Sequence, residues 1–248
     1  MKEPTPVPKV VKSVENTPVP GTKTRLTDHD LWRFPSESLF DRLGRAVCVA
    51  GCLPRKELFE AWEVARRTRR RFRGGRVVDC CGGHGLLAHV MLLLDDSSPS
   101  AVVVDKVRPP SSASVSAAIL DAWPRLRSRV TYLTAGLDDV AIDSTDVVVS
   151  SHACGGLTDV ILARASAAGA RVAVLPCCHD LKRNDAGELS GWLDGALAID
   201  VIRAVRLKER GYKVWTQTIP AEITPKNRLL LARPDSTVKV LWRILAER

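Results

Sequence analysis

Three short segments hold residues whose types and spacing could do chemistry. The first reads Asp79-Cys80-Cys81-Gly82-Gly83-His84-Gly85, after the apolar pair Val77-Val78 and before the apolar run Leu86–Leu94. It predicts a strand, a glycine turn and a helix. Glycine has no Cβ, so a ligand can lie directly against such a turn. Asp105, twenty residues beyond Gly85, closes the run VVVD. An acidic residue at that spacing is what a nucleoside-binding α/β fold uses to hold ribose hydroxyls. The pair points to an adenosine-type cofactor.

The second and third segments are Ser150-Ser151-His152-Ala153-Cys154 and Pro176-Cys177-Cys178-His179. A hydroxyl acceptor must lose a proton, and an imidazole titrating near neutrality suits that work. His152 is the first candidate and His179 the second. Asp159 either orients His152 or begins the next helix. Two His and three Cys are also zinc-ligand types. Their spacing matches no zinc finger, and the adjacent Cys177 and Cys178 are poorly suited to point at one ion, so no metal is expected. A plainer reading stands beside these. Free cysteine packs as a small hydrophobe, so Cys80, Cys81 and Cys177 can simply fill space, and His152 can be a hydrogen-bonded structural residue. Cys48 and Cys52, one helical turn apart, read as core. His84 could line the cofactor cleft.

These segments need a scaffold, and the apolar pattern supplies one. Val77–Cys80, Ala101–Asp105, Val130–Thr134, Asp146–Ser150 and Arg171–Pro176 are short, continuous and mostly Val-rich, as expected of a parallel sheet covered on both faces. Helices are expected over Leu86–Leu94, Val115–Trp123, Leu157–Ala168 and Leu189–Arg210. Lys213–Ile219 and Arg228–Arg233 have no helix between them and should pair as an antiparallel hairpin. The loop joining them carries Lys226 and Arg228, either for phosphate contact or as a plain surface turn. In an open α/β sheet ligands sit beyond the carboxyl ends of the strands, so all three segments face one cleft.

Residues 1–24, rich in Pro, Val, Thr and Lys and without aromatics, are expected to be a disordered tail. Residues 25–73 read as a separate helical extension, and 74–248 as the α/β domain. No apolar run reaches the ~18 residues needed to span a membrane. The start of the sequence lacks the apolar stretch of a signal peptide. Seven cysteines, with two adjacent pairs, do not resemble a disulfide framework. A cytoplasmic protein with reduced thiols is the expectation; oligomeric state is left open.

The net charge of +9 is uneven. Residues 1–75 hold 16 Lys+Arg against 9 Asp+Glu, and residues 76–248 hold 21 against 19. Six of the eight residues 66–73 are arginine. The run Arg66–Arg73 suits a polyanion such as RNA. It equally suits a helix end, because Glu57, Glu60 and Glu63 open the same helix and the arginines close it.

The parallel sheet finishing in a hairpin resembles the fold of S-adenosyl-L-methionine (SAM)-dependent methyltransferases: a Rossmann-like seven-stranded sheet, mostly parallel, with a small helical N-terminal extension. The glycine turn resembles their first motif. Gly83 and Gly85 match its last two glycines, and Cys81 stands where the first is usual. The resemblance implies that Asp79 faces the amino group of SAM, that Gly82, Gly83 and Gly85 lie against it, and that Asp105 takes both ribose hydroxyls. Asp138, or in competition Asp139, would accept from the adenine amine, and Ser150 joins this set. A dinucleotide fingerprint is the rival, but Ala88 replaces its third glycine and Asp79 would repel a pyrophosphate. SHACGGLTD followed by PCCH narrows the resemblance to one branch. That branch includes acceptor-stem tRNA 2′-O-methyltransferases and the methyltransferase-like part of glutathione S-transferase C-terminal domain-containing protein. The tRNA enzymes also carry zinc-finger modules, not seen here, and a second histidine where this chain has Asp180. An RNA methyltransferase is the leading expectation. A methyltransferase for a protein or small molecule, or a non-catalytic SAM-fold module, are the alternatives. SSHA stands where exocyclic-amine methyltransferases often carry N/D-P-P-Y/F, which disfavours that chemistry.

Overall fold

The computed structural model describes residues 23–235. Most of the tail expected over residues 1–24 lies outside them. The elements in chain order are α1 Leu39–Ala50, α2 Arg55–Arg69, β1 Val77–Cys80, α3 Leu86–Leu93, β2 Ala101–Asp105, α4 Ser112–Ala122 and β3 Val130–Thr134. They continue with β4 Val147–Ser150, α5 Leu157–Ala167, β5 Arg171–Val174, α6 Gly195–Glu209, β6 Tyr212–Thr218 and β7 Arg228–Pro234.

The seven strands form one sheet in the order β3-β2-β1-β4-β5-β7-β6. β1 to β5 are parallel, and β7 enters antiparallel between β5 and β6. The strand order reverses between β1 and β4. Loops leaving the carboxyl ends of those two strands therefore diverge and open a crevice. β1 and β4 are buried along their whole length, which is why they read as unbroken Val runs rather than alternating ones.

Two expected helices differ in extent by three residues or more. The helix expected over Leu189–Arg210 is broken: a 3-10 turn spans Leu189–Gly191, and α6 starts afresh at Gly195. Asp194 caps it, its carboxylate accepting from the Leu197 amide at 3.2 Å. The helix expected from Val115 begins three residues earlier, at Ser112.

The N-terminal helices do not form a core of their own. Leu43, Val47, Leu58, Ala61, Val64 and Ala65 share one continuous core with α3, α4 and the sheet. Phe40 ties α1 to α2, its ring 5.1 Å from those of Phe59 and Trp62. Every residue of α3 is buried, because the sheet covers one side of it and α2 packs on another. Among the described residues no helix is long and apolar enough to cross a membrane.

Candidate functional site

A cavity of about 700 Å³ opens at the switch in strand order. Its floor is the turn after β1, built from Cys81, Gly82, Gly83 and His84. Three features hold that turn in shape. A Cβ on Gly82 would stand 2.7 Å from Val103 Cγ1 and 2.8 Å from Asp79 Cγ, so only glycine fits. At Gly85, where φ is +74°, a Cβ would meet the Tyr132 hydroxyl at 2.5 Å. That hydroxyl donates to the His84 carbonyl at 2.8 Å. Gly83 is different: its φ is +50°, and a Cβ there would meet nothing within 4 Å. Its open side is space on the ligand side of the turn. Cys81 occupies the first-glycine position with φ +56°, a left-handed conformation that costs a residue with a side chain ~1 kcal/mol.

Asp105 lines the cavity and accepts the Gly83 amide on Oδ2 at 3.0 Å, so it both braces the turn and faces the cleft. Asp138 and Asp139 line the same wall. Asp139 turns back to accept the Gly136 amide, whereas the Asp138 carboxylate is largely exposed beside Arg164.

Asp79 does not line the cleft. It lies 1% exposed beneath the turn, and its Oδ2 accepts the Ala88 amide at 3.1 Å. Burial pushes its carboxyl up to about 7 against the effect of the Ala88 amide, with the nearby Asp105 charge adding to the rise. Its Oδ1 is buried without a hydrogen-bond partner. A buried carboxylate oxygen lacking a donor, under a turn whose outer face is bare, fits a cationic amino group or its bridging water above the loop. The residues present therefore suit SAM.

The opposite wall corrects several expectations. His152 lines the cleft, but Asp159 does not orient it. Asp159 sits in the first turn of α5 and is held by Arg203 at 2.8 and 3.0 Å and by Asn184 at 2.6 Å. The carboxylate facing His152 is Glu60 of α2, with Nε2 to Oε2 at 3.8 Å. Glu60 is 3% exposed, and Lys56 approaches its other oxygen at 3.3 Å. The only sequence signal for this role was a glutamate among the apolar positions of α2. Ser150 is buried with its hydroxyl unpartnered; one residue later the chain has left the sheet, and Ser151 lines the cleft in its place.

His179 is also outside the cleft. Its side chain is 3% exposed and meets Asp200 Oδ1 at 2.8 Å. Burial would raise the Asp200 carboxyl, but hydrogen bonds from His179 and Arg228, and their charges, hold it below the usual carboxylate value. Arg203 joins them at 3.2 Å. His179 thus anchors the loop after β5 instead of serving the cleft.

With His179 turned inward, the two cysteines before it turn outward and meet Cys154. The Cys154–Cys177, Cys177–Cys178 and Cys178–Cys154 sulfur distances are 3.5, 3.7 and 3.6 Å. Adjacent cysteines do point at one place here, contrary to expectation. The sequence set the spacing but not the loop conformation that decides this. Burial and the neighbouring thiols push the Cys177 thiol up. Cys80 and Cys48 are core, as their apolar neighbours suggest, and Cys52 is half-buried. His84 lines the cleft and meets the Ser111 hydroxyl at 2.9 Å.

The arginine run is largely spent on the fold. Arg66 and Arg67 bind Glu63 at 2.7 and 2.9 Å. Arg69 is buried, bonded to the Met91 carbonyl and the Ser98 hydroxyl and 3.2 Å from Asp95. Arg73 reaches the Leu94 carbonyl, and Arg71 lies over the Trp215 ring. Of the run, Arg69 is buried in the seam between α2 and α3, whereas Arg70, Arg71 and Arg73 are exposed.

A protein from Drosophila pseudoobscura pseudoobscura, a glutathione S-transferase C-terminal domain-containing protein homolog, is 26% identical over 200 residues, covering 64% of this chain and 33% of that protein. The chain therefore spans about a third of the length of the relative it matches. Among solved structures, an O-methyltransferase family protein from Burkholderia thailandensis matches 84% of this chain and 63% of its own, at 16% identity and a TM-score of 0.49. The M1A22 tRNA methyltransferase of B. subtilis matches 70% of this chain and 66% of its own, at 13% identity and a TM-score of 0.45. A known family, described as a methyltransferase domain, matches residues 57–184, from within α2 through the cysteine loops. Its cofactor is SAM, and the cleft offers the bare turn at Gly83 and the Asp105 carboxylate, with Asp79 buried beneath the turn. The chain belongs to the methyltransferase-domain family.

Proposed function

We propose that this protein transfers the methyl group of SAM to a hydroxyl of an RNA acceptor. The observation that carries this reading is the make-up of the cleft at the switch in strand order. One wall presents the Gly83 turn, Asp105, Asp138 and Asp139, and the other presents His152 with Glu60 at 3.8 Å. SAM supplies an electrophilic methyl group when bound. Asp105 would hold the ribose, Asp138 would meet the adenine amine, and the Gly83 backbone would lie against the methionine part. His152 takes the acceptor proton, and the Glu60 carboxylate stabilises the imidazolium that results. Positioning contributes most of the rate, since methyl transfer is an in-line displacement.

RNA as the acceptor is supported by the net charge of +9 and by what surrounds the cleft. Lys106 lines it, and Arg108 is exposed two residues on. Further along, Lys182 and Arg183 are exposed on the loop after β5, and Trp192 is 88% exposed on the segment leading to α6. An exposed aromatic ring suits stacking on an unpaired base.

The test is transfer from labelled SAM to separated RNA, protein and metabolite fractions. Label is expected in RNA. Label confined to protein or metabolites would overturn the RNA reading, and no label with SAM binding intact would make the chain a non-catalytic module. Asp105→Ala should weaken SAM binding by roughly 10- to 100-fold, the loss of a charged hydrogen bond. His152→Ala and Glu60→Gln should lower kcat and leave SAM affinity near wild type.

A further inference from the structure

Cys154, Cys177 and Cys178 are used neither by cofactor binding nor by proton transfer. Their sulfurs form a nearly equilateral triangle with edges of 3.5, 3.7 and 3.6 Å. β4 and β5 are adjacent and parallel, with Ser150 opposite Val174, so the loops that follow leave the sheet side by side. Cys154 lies four residues past Ser150, and Cys177 three past Val174. The Thr158 hydroxyl, donating to the Ala153 carbonyl at 2.9 Å, fixes the first loop. The His179–Asp200 contact fixes the second immediately after Cys178.

Packing does not explain the cluster. Cys154 and Cys178 are exposed and Cys177 is half-buried, so the three do not serve as core filler. Coordination does explain it. Tetrahedral zinc with Zn–S near 2.3 Å spaces its sulfurs about 3.8 Å apart. The triangle is already within a few tenths of an ångström of that. Among the described residues no histidine, aspartate or glutamate completes the group as a fourth ligand. Cys154 lines the cleft.

The geometry points to a thiolate tripod: Cys154, Cys177 and Cys178 bind one thiophilic divalent cation of the zinc class. With three protein ligands, a fourth coordination position would be left for water or another oxygen ligand, and Cys154 sets the tripod at the edge of the cleft. Each thiol gives its proton to solvent as its sulfur binds. Three protein ligands with one open position is the arrangement of catalytic zinc rather than of a closed structural site.

The test uses the full, untagged chain, reduced, stripped with chelator and titrated with cobalt(II). One equivalent should bind with an intense near-ultraviolet sulfur-to-cobalt band, and zinc(II) should displace it. Cys154→Ser and Cys178→Ser, both at exposed positions, should each abolish the band at one equivalent while the circular dichroism spectrum stays wild type. Cys52→Ser should keep the band. No band in the wild-type chain, or a band that survives both exposed substitutions, would overturn the site. Neither readout depends on methyl transfer.

Discussion

Asp79 keeps a proton that a surface carboxyl would have lost. Its carboxyl sits at about 7 because burial disfavours the charge, against an ordinary value of 3.8. In the ligand-free protein the folded state therefore holds this proton over a range where the unfolded chain has released it. Stability contributed by Asp79 is greatest at low pH and declines as pH rises from about 4 to about 7, by roughly 1.4 kcal/mol per unit at most. A cationic amino group above the turn would reverse the preference, since a nearby positive charge favours the ionised carboxylate. SAM affinity should consequently fall about tenfold per unit as pH drops below about 7. Asp79→Asn should flatten that profile and remove the declining stability slope. Calorimetric titration across the range checks the first, and urea midpoints check the second. An unchanged pH profile in the variant would refute the placement of the amino group over Asp79.

Helix α2 shows how one element can serve two ends. Its first half lends Glu57 and Ala61 to the cleft wall and holds the buried Glu60 behind His152; its second half sends Arg69 into the seam with α3. Burial pushes the Arg69 guanidinium down to about 10 although Asp95 favours its charge. Arg69→Ala would leave Asp95, the Met91 carbonyl and Ser98 short of a partner, which should cost about 3 kcal/mol. Arg70→Ala, at an exposed position, should change stability by less than about 0.5 kcal/mol. Chemical denaturation of the two variants separates a structural run from a solvated one; equal effects would mean that the seam is not what holds Arg69. The same helix marks where sequence reading stops. Periodicity places Leu58 and Ala65 on the core face, because that depends on neighbours three and four residues away. It cannot show that Glu60 is buried against His152, because that depends on a loop ninety residues later. The β1 turn was legible for the opposite reason: its strand, glycines and helix are contiguous. Cys154 and Cys177 were each visible as ligand-type residues, yet their meeting follows from His179 turning inward to Asp200, a contact no spacing encodes.

At the scale of the molecule, the order of the strands creates the crevice and the N-terminal helices close one side of it. All seven strands could be read from short Val-rich runs and the missing helix before the last one. The unity of the N-terminal segment with the sheet could not, because an apolar helix face does not name its partner. A fragment of residues 74–248 should therefore be poorly soluble and bind SAM weakly, whereas residues 23–235 should bind as the full chain does. Size-exclusion chromatography with SAM titration checks both. A well-folded, SAM-binding 74–248 fragment would show that the shared core is dispensable.

That α3 is apolar on every side has a consequence for synthesis on the ribosome. A helix with no polar face cannot wait in water for its cover. Here the cover is made first: α1 and α2 leave the exit tunnel before β1 and α3. Synthesis from the N-terminus thus delivers α3 to an α2 face that is already made, while β2 and α4 follow to complete its cover. A rearranged gene that moved the first two helices to the end of the chain could specify the same final contacts. It would leave the α2-facing side of LLAHVMLL uncovered until the end of translation.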